Sequence, residues 1–420
     1  MARLTLDRFR HALRHGVVPR SQTAAIGRHI ARAASERPTG LRGAIEASSP
    51  LGPCTVVRQT CGADARYGRR AMRGYSTVSV PAFGVLAGER APRNPRQTGR
   101  VVFLDLETTG LSGGAATVAF VVGLGWFERG AFVTWQLVLL GFADEPRILS
   151  ALSDALGEAG ALVTFNGKSF DLPVLESRWA YHRMGSPLDS LPHLDLLHPS
   201  RRLWPGDDGT LVGLERVVLG VRRVSDVPGA EIPGRYVAYL RGGDAKHLEP
   251  VLEHNRLDLR SLAGLTGLAC RLVDGGVAAT DTAAQALGLG RILDRAGCDG
   301  ASVACYECAA ENDRGAHDDV SAEALSRLAR YWRRQRRYGD AARTWRRLLA
   351  LSRPPVGCRR EAMLALAVHH EHRARDPVEA RRLACRALHL TDRHRHRAAI
   401  EHRLSRLERK VEQQALDTLV

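Results

Sequence analysis

Hydrophobic and polar residues follow a regular pattern only from residue 100 onward. Val101–Leu104 is a short, fully apolar run, as expected of a strand that is buried on both faces of a sheet. Two further β-like runs, Ala116–Trp126 and Ala131–Leu140, are separated by a short segment that ends in Gly130. This spacing predicts a β hairpin with a glycine-containing turn.

Segments with helical and strand-like periodicity then alternate. The expected elements are a helix at Asp144–Leu156, a strand at Ala161–Phe165, a helix at Asp171–Met184, a short apolar run at Leu194–Leu197, and helices at Leu211–Leu219 and Ala245–Val273. Three strands, a helix, a strand, a helix and a strand predict an α/β domain over residues 100–275, with a mixed sheet covered by helices.

The two ends of the chain differ from this central region. Residues 1–99 show little periodicity, so we expect a basic, poorly ordered N-terminal arm, in which Gly52–Val57 is compatible with one strand of a small β hairpin. Residues 276–420 predict an all-α domain. Within it, the apolar and small positions of residues 323–345 recur 38 residues later, which resembles a pair of tetratricopeptide-like repeats; an ordinary helical bundle is the alternative.

The charge is distributed unevenly along the chain. The formal net charge is +16, yet residues 101–320 carry 19 Lys and Arg against 29 Asp and Glu, whereas each flank has a net charge of +13. An acidic centre between basic flanks suits a site for divalent cations beside surfaces that attract a polyanion. Only three of the basic residues are Lys, and genome composition is the alternative explanation for this bias toward Arg.

Hydropathy and cysteine usage predict in which cellular compartment the protein is located. The sequence is 44% hydrophobic, and no continuous apolar run approaches the roughly 18 residues of a membrane helix, so we expect a soluble chain without a membrane partner. The eight cysteines are sparse and scattered, which favours a reducing, cytoplasmic location over a disulfide framework.

A pair of acidic residues follows the first apolar run. Asp105 and Glu107 are two positions apart, so in a strand both side chains emerge on the same face. Two adjacent carboxylates at the edge of an apolar core repel each other and resist desolvation, and a divalent cation relieves both effects. A D-x-E string is a weak signal alone, because carboxylates at strand ends often only meet solvent.

Two further polar strings strengthen the hypothesis of a shared site. In the first, N-x-x-x-F-D, Asn166 follows a predicted strand, and Phe170 and Asp171 open a helix. In the second, H-x-x-x-D, His254 and Asp258 are one turn apart on one helical face. Separately, Asp171 is compatible with a helix N-cap and Phe170 with core packing, but the combination in this order indicates one catalytic site.

These three strings resemble the exonuclease motifs of the DEDD superfamily of 3′–5′ exonucleases. The four acidic residues of that superfamily match Asp105, Glu107, Asp171 and Asp258. The likeness is strongest to the proofreading domain of family-B DNA polymerases, and more specifically to bacterial stand-alone ribonuclease-H-like domain proteins that often end in tetratricopeptide-like helices. It covers residues 100–275 well, the tail moderately and the first hundred residues barely. It implies a ribonuclease-H-like fold for the central domain.

The resemblance also implies an activity and its cofactor. It implies hydrolysis of phosphodiester bonds, assisted by two Mg²⁺ or Mn²⁺ ions that the four carboxylates hold and that Asp105 bridges. The substrate would be the 3′ end of single-stranded DNA or RNA, and the C-terminal helices would be available for a protein partner. The residues expected to contact the last two nucleotides are Thr108, Thr109, Gly110 and Leu111 for the terminal one, and Asn166 and Phe170 for the next.

The third motif departs from the forms usual in the superfamily, Y-x-x-x-D and H-x-x-x-x-D. This chain has the spacing of the first with histidine in the place of tyrosine. We expect His254 to orient or deprotonate the attacking water, because histidine exchanges protons near neutral pH. The altered spacing leaves three alternatives open: an endonuclease of the same fold, a catalytically silent nucleic-acid-binding scaffold, and an adaptor that acts through its helical tail.

Overall fold

The computed structural model describes residues 40–88, 99–110, 117–206, 208–242, 244–311, 318–391 and 394–419. The described residues form two compact units. Unit 1 comprises the chain up to Arg201 together with Gly206–Asp274. Unit 2 comprises Arg202–Pro205 and the residues from Gly275 onward.

Unit 1 is built on a seven-stranded mixed sheet. Its strand order is β1-β2-β7-β6-β5-β8-β9, with antiparallel pairing everywhere except for the parallel pairs β5–β8 and β8–β9. The strands are β1 (Ala44–Ser49), β2 (Gly52–Cys61), β5 (Arg100–Thr108), β6 (Ala119–Glu128), β7 (Ala131–Val138), β8 (Ala159–Thr164) and β9 (His193–Asp195). A separate hairpin consists of β3 (Arg66–Tyr67) and β4 (Arg70–Ala71).

The predicted hairpin is the centre of this sheet. β6 and β7 pair from Val121–Val138 to Glu128–Ala131, and the two residues between the strands, Arg129 and Gly130, have φ angles of 51° and 80°. Positive φ at both positions gives the tight turn whose twist matches that of the strands. The strand interiors are apolar, and the sheet is covered on both faces, as the uninterrupted hydrophobic run of β5 requires.

Helices cover the sheet. Those described up to Gly275 are α1 (Val80–Ala87), α2 (Glu145–Gly157), α3 (Asp171–Tyr181), α4 (Leu197–Leu203), α5 (Leu211–Leu214), α6 (Ile232–Leu240) and α7 (Glu249–Gly275), and a π-helical turn, Glu215–Leu219, follows α5 directly. The predicted fold class is therefore confirmed: a mixed sheet flanked by helices precedes a helical C-terminal region.

The segment 40–88 differs from the poorly ordered arm that the sequence led us to expect. β1 and β2 form a hairpin, and β2 continues the main sheet by pairing with β7 from Val56–Leu137 to Cys61–Phe132. Val56 and Val57 are fully buried in the core of unit 1. The sequence indicated a strand at Gly52–Val57 but not its pairing with β7, because the residues of β7 lie about eighty positions later and such long-range pairing leaves no local periodicity.

The long helix α7 is the apolar centre of unit 1. Among the described residues, Ala245–Ala279 is the one helical segment that is long and apolar enough to cross a membrane, with a mean hydropathy of 1.3 in its best window. Half of that window is buried inside the protein, and a core helix meets the same criterion. The observation is therefore weak evidence for a membrane span.

Unit 2 is entirely helical where it is described. Its helices are α8 (Ala283–Ala296), α9 (Asp299–Glu311), α10 (Asp318–Arg334), α11 (Tyr338–Leu349), α12 (Val356–His369), α13 (Pro377–His389) and α14 (His394–Leu419). The small and apolar positions that recur after 38 residues are all buried: Ala324, Leu328, Ala342, Trp345, Ala362, Leu366, Ala380 and Leu383. They pair α10 with α11 and α12 with α13. The tetratricopeptide-like interpretation stays a prediction.

Replacement of Gly267 by alanine tests how closely α7 packs. A Cβ at this position would collide with the carbonyl oxygen of Tyr75, which belongs to a rigid backbone segment. We expect Gly267→Ala to lower the free energy of unfolding by about 1–3 kcal/mol, as overpacking of a core typically does. Urea denaturation measures this value.

The matched control is Gly234→Ala in α6, where a Cβ would meet nothing within 4 Å. Because alanine is the better helix former, this variant should be neutral or more stable by up to about 1 kcal/mol. Equal stability of the two variants would contradict the close packing of α7.

Candidate active site

Asp105 and Glu107 lie near the end of β5, on the strand's same face. In the register with β6, Asp105 is opposite Gly123 and Glu107 is opposite Val121. Glu107 is buried, and Asp105 is only partly exposed. The alternation of a strand thus aims both carboxylates at one point, as the sequence predicted.

Asp171 and Asp258 approach these two residues from helices. Asp171 is the first residue of α3 and is buried, and its carboxylate interacts with the backbone N–H of Leu106 on β5. Asp258 lies on α7. The structure therefore brings all four predicted acidic residues within electrostatic range of one another.

The closeness and burial of these carboxylates raise the pKa values of three of them. Burial, and then repulsion by Asp258, Glu107 and Asp171, raises the pKa of Asp105 well above its usual range. Burial and repulsion by neighbouring carboxylates raise the pKa of Glu107 in the same way. Burial also raises the pKa of Asp171 to about 7. Such values mark a functional site or an ion-pair network, because an isolated group would avoid this environment.

Asn255 holds Asp105 in place, although the sequence reasoning did not single it out. Its Nδ2 atom donates to Asp105 Oδ2 at 2.8 Å and to the Asp105 carbonyl oxygen at 3.3 Å. Gln136 Nε2 donates in turn to Asn255 Oδ1 at 2.8 Å, and both amides are fully buried. A Cβ at position 123 would collide with the Asn255 amide, so β6 needs a glycine opposite Asp105. A glycine inside an otherwise apolar strand was the available signal.

Arg223 is a second residue that the sequence reasoning missed. Its guanidinium forms an ion pair with Asp258 Oδ1, contacts Asp226 Oδ2 at 3.0 Å, and is held by two 2.8 Å hydrogen bonds to Glu215. The side chain of Arg223 is 4% exposed and that of Glu215 is 1% exposed. Arg223 is thus an internal cation that neutralises part of the acidic cluster, and it lowers the pKa of Glu107 against the effect of burial.

His254 lies on the same face of α7 as Asp258, as predicted. Its Nδ1 atom is 2.8 Å from Asp226 Oδ1, and its Nε2 atom is 3.6 Å from Asp258 Oδ2. A carboxylate partner on Nδ1 favours the proton on that nitrogen and leaves Nε2 available as an acceptor. Asp226 belongs to the loop after Gly220, and nothing in its local sequence distinguishes it from a loop carboxylate.

The loop that carries Asn166 and Phe170 is shaped by Asp195. The Asp195 carboxylate accepts hydrogen bonds from the backbone N–H groups of Asn166 at 2.8 Å and Lys168 at 3.0 Å. Asn166 has a φ of 65° and an exposed side chain, and Phe170 is half-buried. Both residues therefore reach the surface directly before Asp171.

The predicted nucleotide-contacting residues at and after the end of β5, Thr108 to Leu111, are only partly described. Thr108 Oγ1 donates to the Gly110 carbonyl oxygen at 2.7 Å, and Thr109 Oγ1 accepts from the Val118 N–H at 3.1 Å. Both hydroxyls are thus engaged with backbone. Leu111 lies outside the described residues.

The side-chain oxygen atoms of the four predicted acidic residues are suitable ligands for a divalent cation. Asp105, Glu107, Asp171 and Asp258 offer only oxygen donors, which suit Mg²⁺ or Mn²⁺, and bound cations would offset the repulsion that raises three of the four pKa values. Among the residues that the structure describes, however, no three His, Cys, Asp or Glu side chains are already grouped so that they could hold a metal ion. The expected four-carboxylate cage is therefore not closed, and Asp258 is shared with Arg223.

Comparison with known proteins agrees with this fold. Residues 102–270 match a family model of the RNase_H superfamily, so the chain contains an RNase_H-superfamily domain. The chain is also similar to "Uncharacterized protein YprB" of Bacillus subtilis (strain 168), with 35% identity over 166 residues. The alignment covers 39% of this chain and 40% of the length of that relative.

The raised pKa of Asp171 predicts how the metal-free protein responds to pH. A folded-state pKa of about 7, against an ordinary value of 3.8, means that the folded protein retains a proton that the unfolded chain has released. Stability from this group is present below pH 4 and is lost as pH rises from about 4 to 7. In EDTA, the melting temperature of Asp171→Asn relative to wild type should therefore rise by at least about 2 °C between pH 4.5 and pH 8. A difference that stays constant between these two pH values would contradict this electrostatic account.

Proposed function

We propose that the protein is a metal-dependent 3′–5′ exonuclease that hydrolyses phosphodiester bonds at single-stranded nucleic acid ends. The observation that carries the proposal is the convergence of Asp105, Glu107, Asp171 and Asp258 from a strand and two helices, in surroundings that raise the pKa values of the first three. Such an arrangement is unfavourable unless a cation or a proton neutralises it.

The four carboxylates would hold two Mg²⁺ or Mn²⁺ ions. When bound, these ions supply Lewis-acid polarisation of the phosphodiester and offset the negative charge that develops on it. Asn255 fixes the Asp105 carboxylate through the 2.8 Å hydrogen bond, and Arg223 keeps Asp258 oriented toward the same region. The protein thus supplies oriented oxygen donors in a partly desolvated pocket, which strengthens their electrostatic effect.

His254 is suited to accept a proton from water or to orient it. The hydrogen bond from Nδ1 to Asp226 fixes the ring, and Nε2 points toward the region of Asp258. The histidine therefore reaches the carboxylate cluster despite its unusual spacing in the motif. Ser261 and Glu215 hold the Arg223 side chain in place, because Glu215 accepts hydrogen bonds from both Ser261 and Arg223.

The substrate end would lie between β5 and the Asn166 loop. The backbone of Thr108–Leu111 would contact the terminal nucleotide, since the described hydroxyls there are already engaged. Asn166 and the half-buried ring of Phe170 would support the next nucleotide. Contact between an aromatic ring and a base suits a single strand without sequence preference.

Replacement of Asp105 tests the proposed activity. We expect Asp105→Asn to lower Mn²⁺-dependent cleavage by roughly 10³-fold, because each tenfold corresponds to about 1.4 kcal/mol and loss of a shared metal ligand removes several kcal/mol. The assay follows DNA and RNA oligonucleotides labelled at either the 5′ or the 3′ end, with Asp189→Asn, an exposed acid, as control.

If correctly folded wild-type protein and the Asp105→Asn variant were equally inert on every oligonucleotide, the nuclease proposal would be wrong. Cleavage of a circular single strand would favour an endonuclease of the same fold instead. The ion pair between Arg223 and Asp258 favours a second candidate, a nucleic-acid-binding scaffold without catalysis, because it occupies an expected metal ligand. That candidate predicts binding without any cleavage.

Replacement of His254 tests its role in proton transfer. We expect His254→Ala to lower turnover by about 10²–10⁴-fold, the usual contribution of a general base, while Mn²⁺ affinity changes by less than about threefold. His247→Ala, which removes an exposed histidine just before α7, is the control. Single-turnover cleavage and isothermal titration with Mn²⁺ measure the two effects separately. An unchanged rate in His254→Ala would exclude this residue as the base.

A further inference from the structure

The β3–β4 hairpin presents an unusual concentration of exposed arginine. We call residues 65–73 the basic hairpin; Arg66, Arg69, Arg70 and Arg73 are all exposed on it. Arg73 forms an ion pair with Asp64. Within the described part of the chain, the guanidinium groups of the other three arginines contact no carboxylate; Arg66 Nε donates only to the Gly68 carbonyl oxygen at 3.2 Å. The basic hairpin therefore carries three positive charges without an acidic partner.

The basic hairpin packs against the end of the π-helical turn, at Leu219 and Gly220. Gly68 has a φ of 59°, and a Cβ there would collide with the Leu219 backbone. The N–H of Arg69 donates to the Leu219 carbonyl oxygen at 2.8 Å. The side chain of Arg69 lies over Gly220, where a Cβ would come within 3.0 Å of its Cγ and Nε atoms. Such contacts give the arginines a defined position on unit 1.

The basic hairpin is also tied to the turn of α7 that carries the proposed active site. Tyr67 Oη donates to the Leu257 carbonyl oxygen at 3.2 Å and lies 2.6 Å from Ser261 Oγ. Leu257 directly precedes Asp258, and Ser261 is about one helical turn after it. Ser261 donates to Glu215, which holds Arg223 against Asp258. The three arginines thus belong to an element that is anchored within one turn of the carboxylate cluster.

We propose that Arg66, Arg69 and Arg70 bind the phosphate backbone of the single strand whose end reaches the carboxylates. The choice of ligand rests on the proposed function. A polyanion is repelled by the acidic cluster, so it needs compensating positive charge nearby, and the planar guanidinium suits phosphate oxygens. The hairpin precedes residues 102–270, so it is outside the region that matches the RNase_H superfamily.

The test measures binding separately from cleavage. The triple variant Arg66→Ala, Arg69→Ala, Arg70→Ala is made in the Asp105→Asn background, so that the strand stays intact. Fluorescence anisotropy with a labelled single-stranded RNA and DNA is recorded over a series of salt concentrations. Each phosphate contact on a single strand contributes about 0.7 to the slope of log affinity against log salt, so the triple variant should lose a slope of about 2. A triple lysine variant keeps the charges and should keep most of the slope.

The matched control removes the same charge elsewhere on unit 1: Arg42→Ala, Arg183→Ala and Arg241→Ala, which are also exposed. This control, also made in the Asp105→Asn background, should retain the slope of log affinity against log salt that the Asp105→Asn variant shows. An equal loss in both triple variants, or no loss in the hairpin variant at unchanged thermal stability, overturns the proposal. So does a hairpin variant that keeps its nucleic acid slope but loses binding to polyglutamate, because the surface would then serve an acidic protein segment.

The two proposals fail in different ways. Salt-dependent binding that needs the basic hairpin, together with no cleavage by the wild-type protein, would refute the nuclease and leave the hairpin assignment standing. Cleavage by the wild-type protein, together with binding that does not change in the hairpin variant, would support the nuclease and refute the hairpin assignment.

Discussion

Repulsion among buried carboxylates is the constraint on which the rest of unit 1 depends. Asp105, Glu107 and Asp171 meet in surroundings that favour their protonated forms, and burial is the main cause for each. Neighbouring side chains partly offset this negative charge. The amide of Asn255 on α7 donates a hydrogen bond to Asp105, and the buried guanidinium of Arg223 binds Asp258. These partners keep the acidic groups oriented while they repel one another, and a bound cation would relieve that repulsion.

The carboxylates are oriented through a chain of buried polar groups that joins the sheet to α7. Arg256 Nη1 donates to Gln136 Oε1 at 3.0 Å, Gln136 donates to Asn255, and Asn255 donates to Asp105. Each group in this chain has a partner, as buried polar networks must if they are to add rigidity rather than cost stability. Gly123 makes room for it on β6. The helix that supplies Asp258 is therefore locked to the strand that supplies Asp105.

Two elements of unit 1 lie outside the region that matches the RNase_H superfamily. β1 and β2 widen the sheet beyond β7, and the basic hairpin packs on the end of the π-helical turn. Both precede residue 102, where that match begins. If the basic hairpin binds nucleic acid as proposed, it does so through residues other than the four carboxylates.

The sequence by itself determined the fold class, because alternation in strands and helical periodicity are local properties of the chain. It also predicted the four acidic residues that the structure brings within electrostatic range of one another. It did not reveal the pairing of β2 with β7, the hydrogen bond from Asn255 to Asp105, or the ion pair between Arg223 and Asp258. Each of these joins residues that are 35 or more positions apart, and their local sequences also suit an ordinary loop, helix or strand. Only the tertiary structure decided these three contacts, because contacts between residues so distant in sequence depend on side-chain packing and on the charges that meet in the folded core.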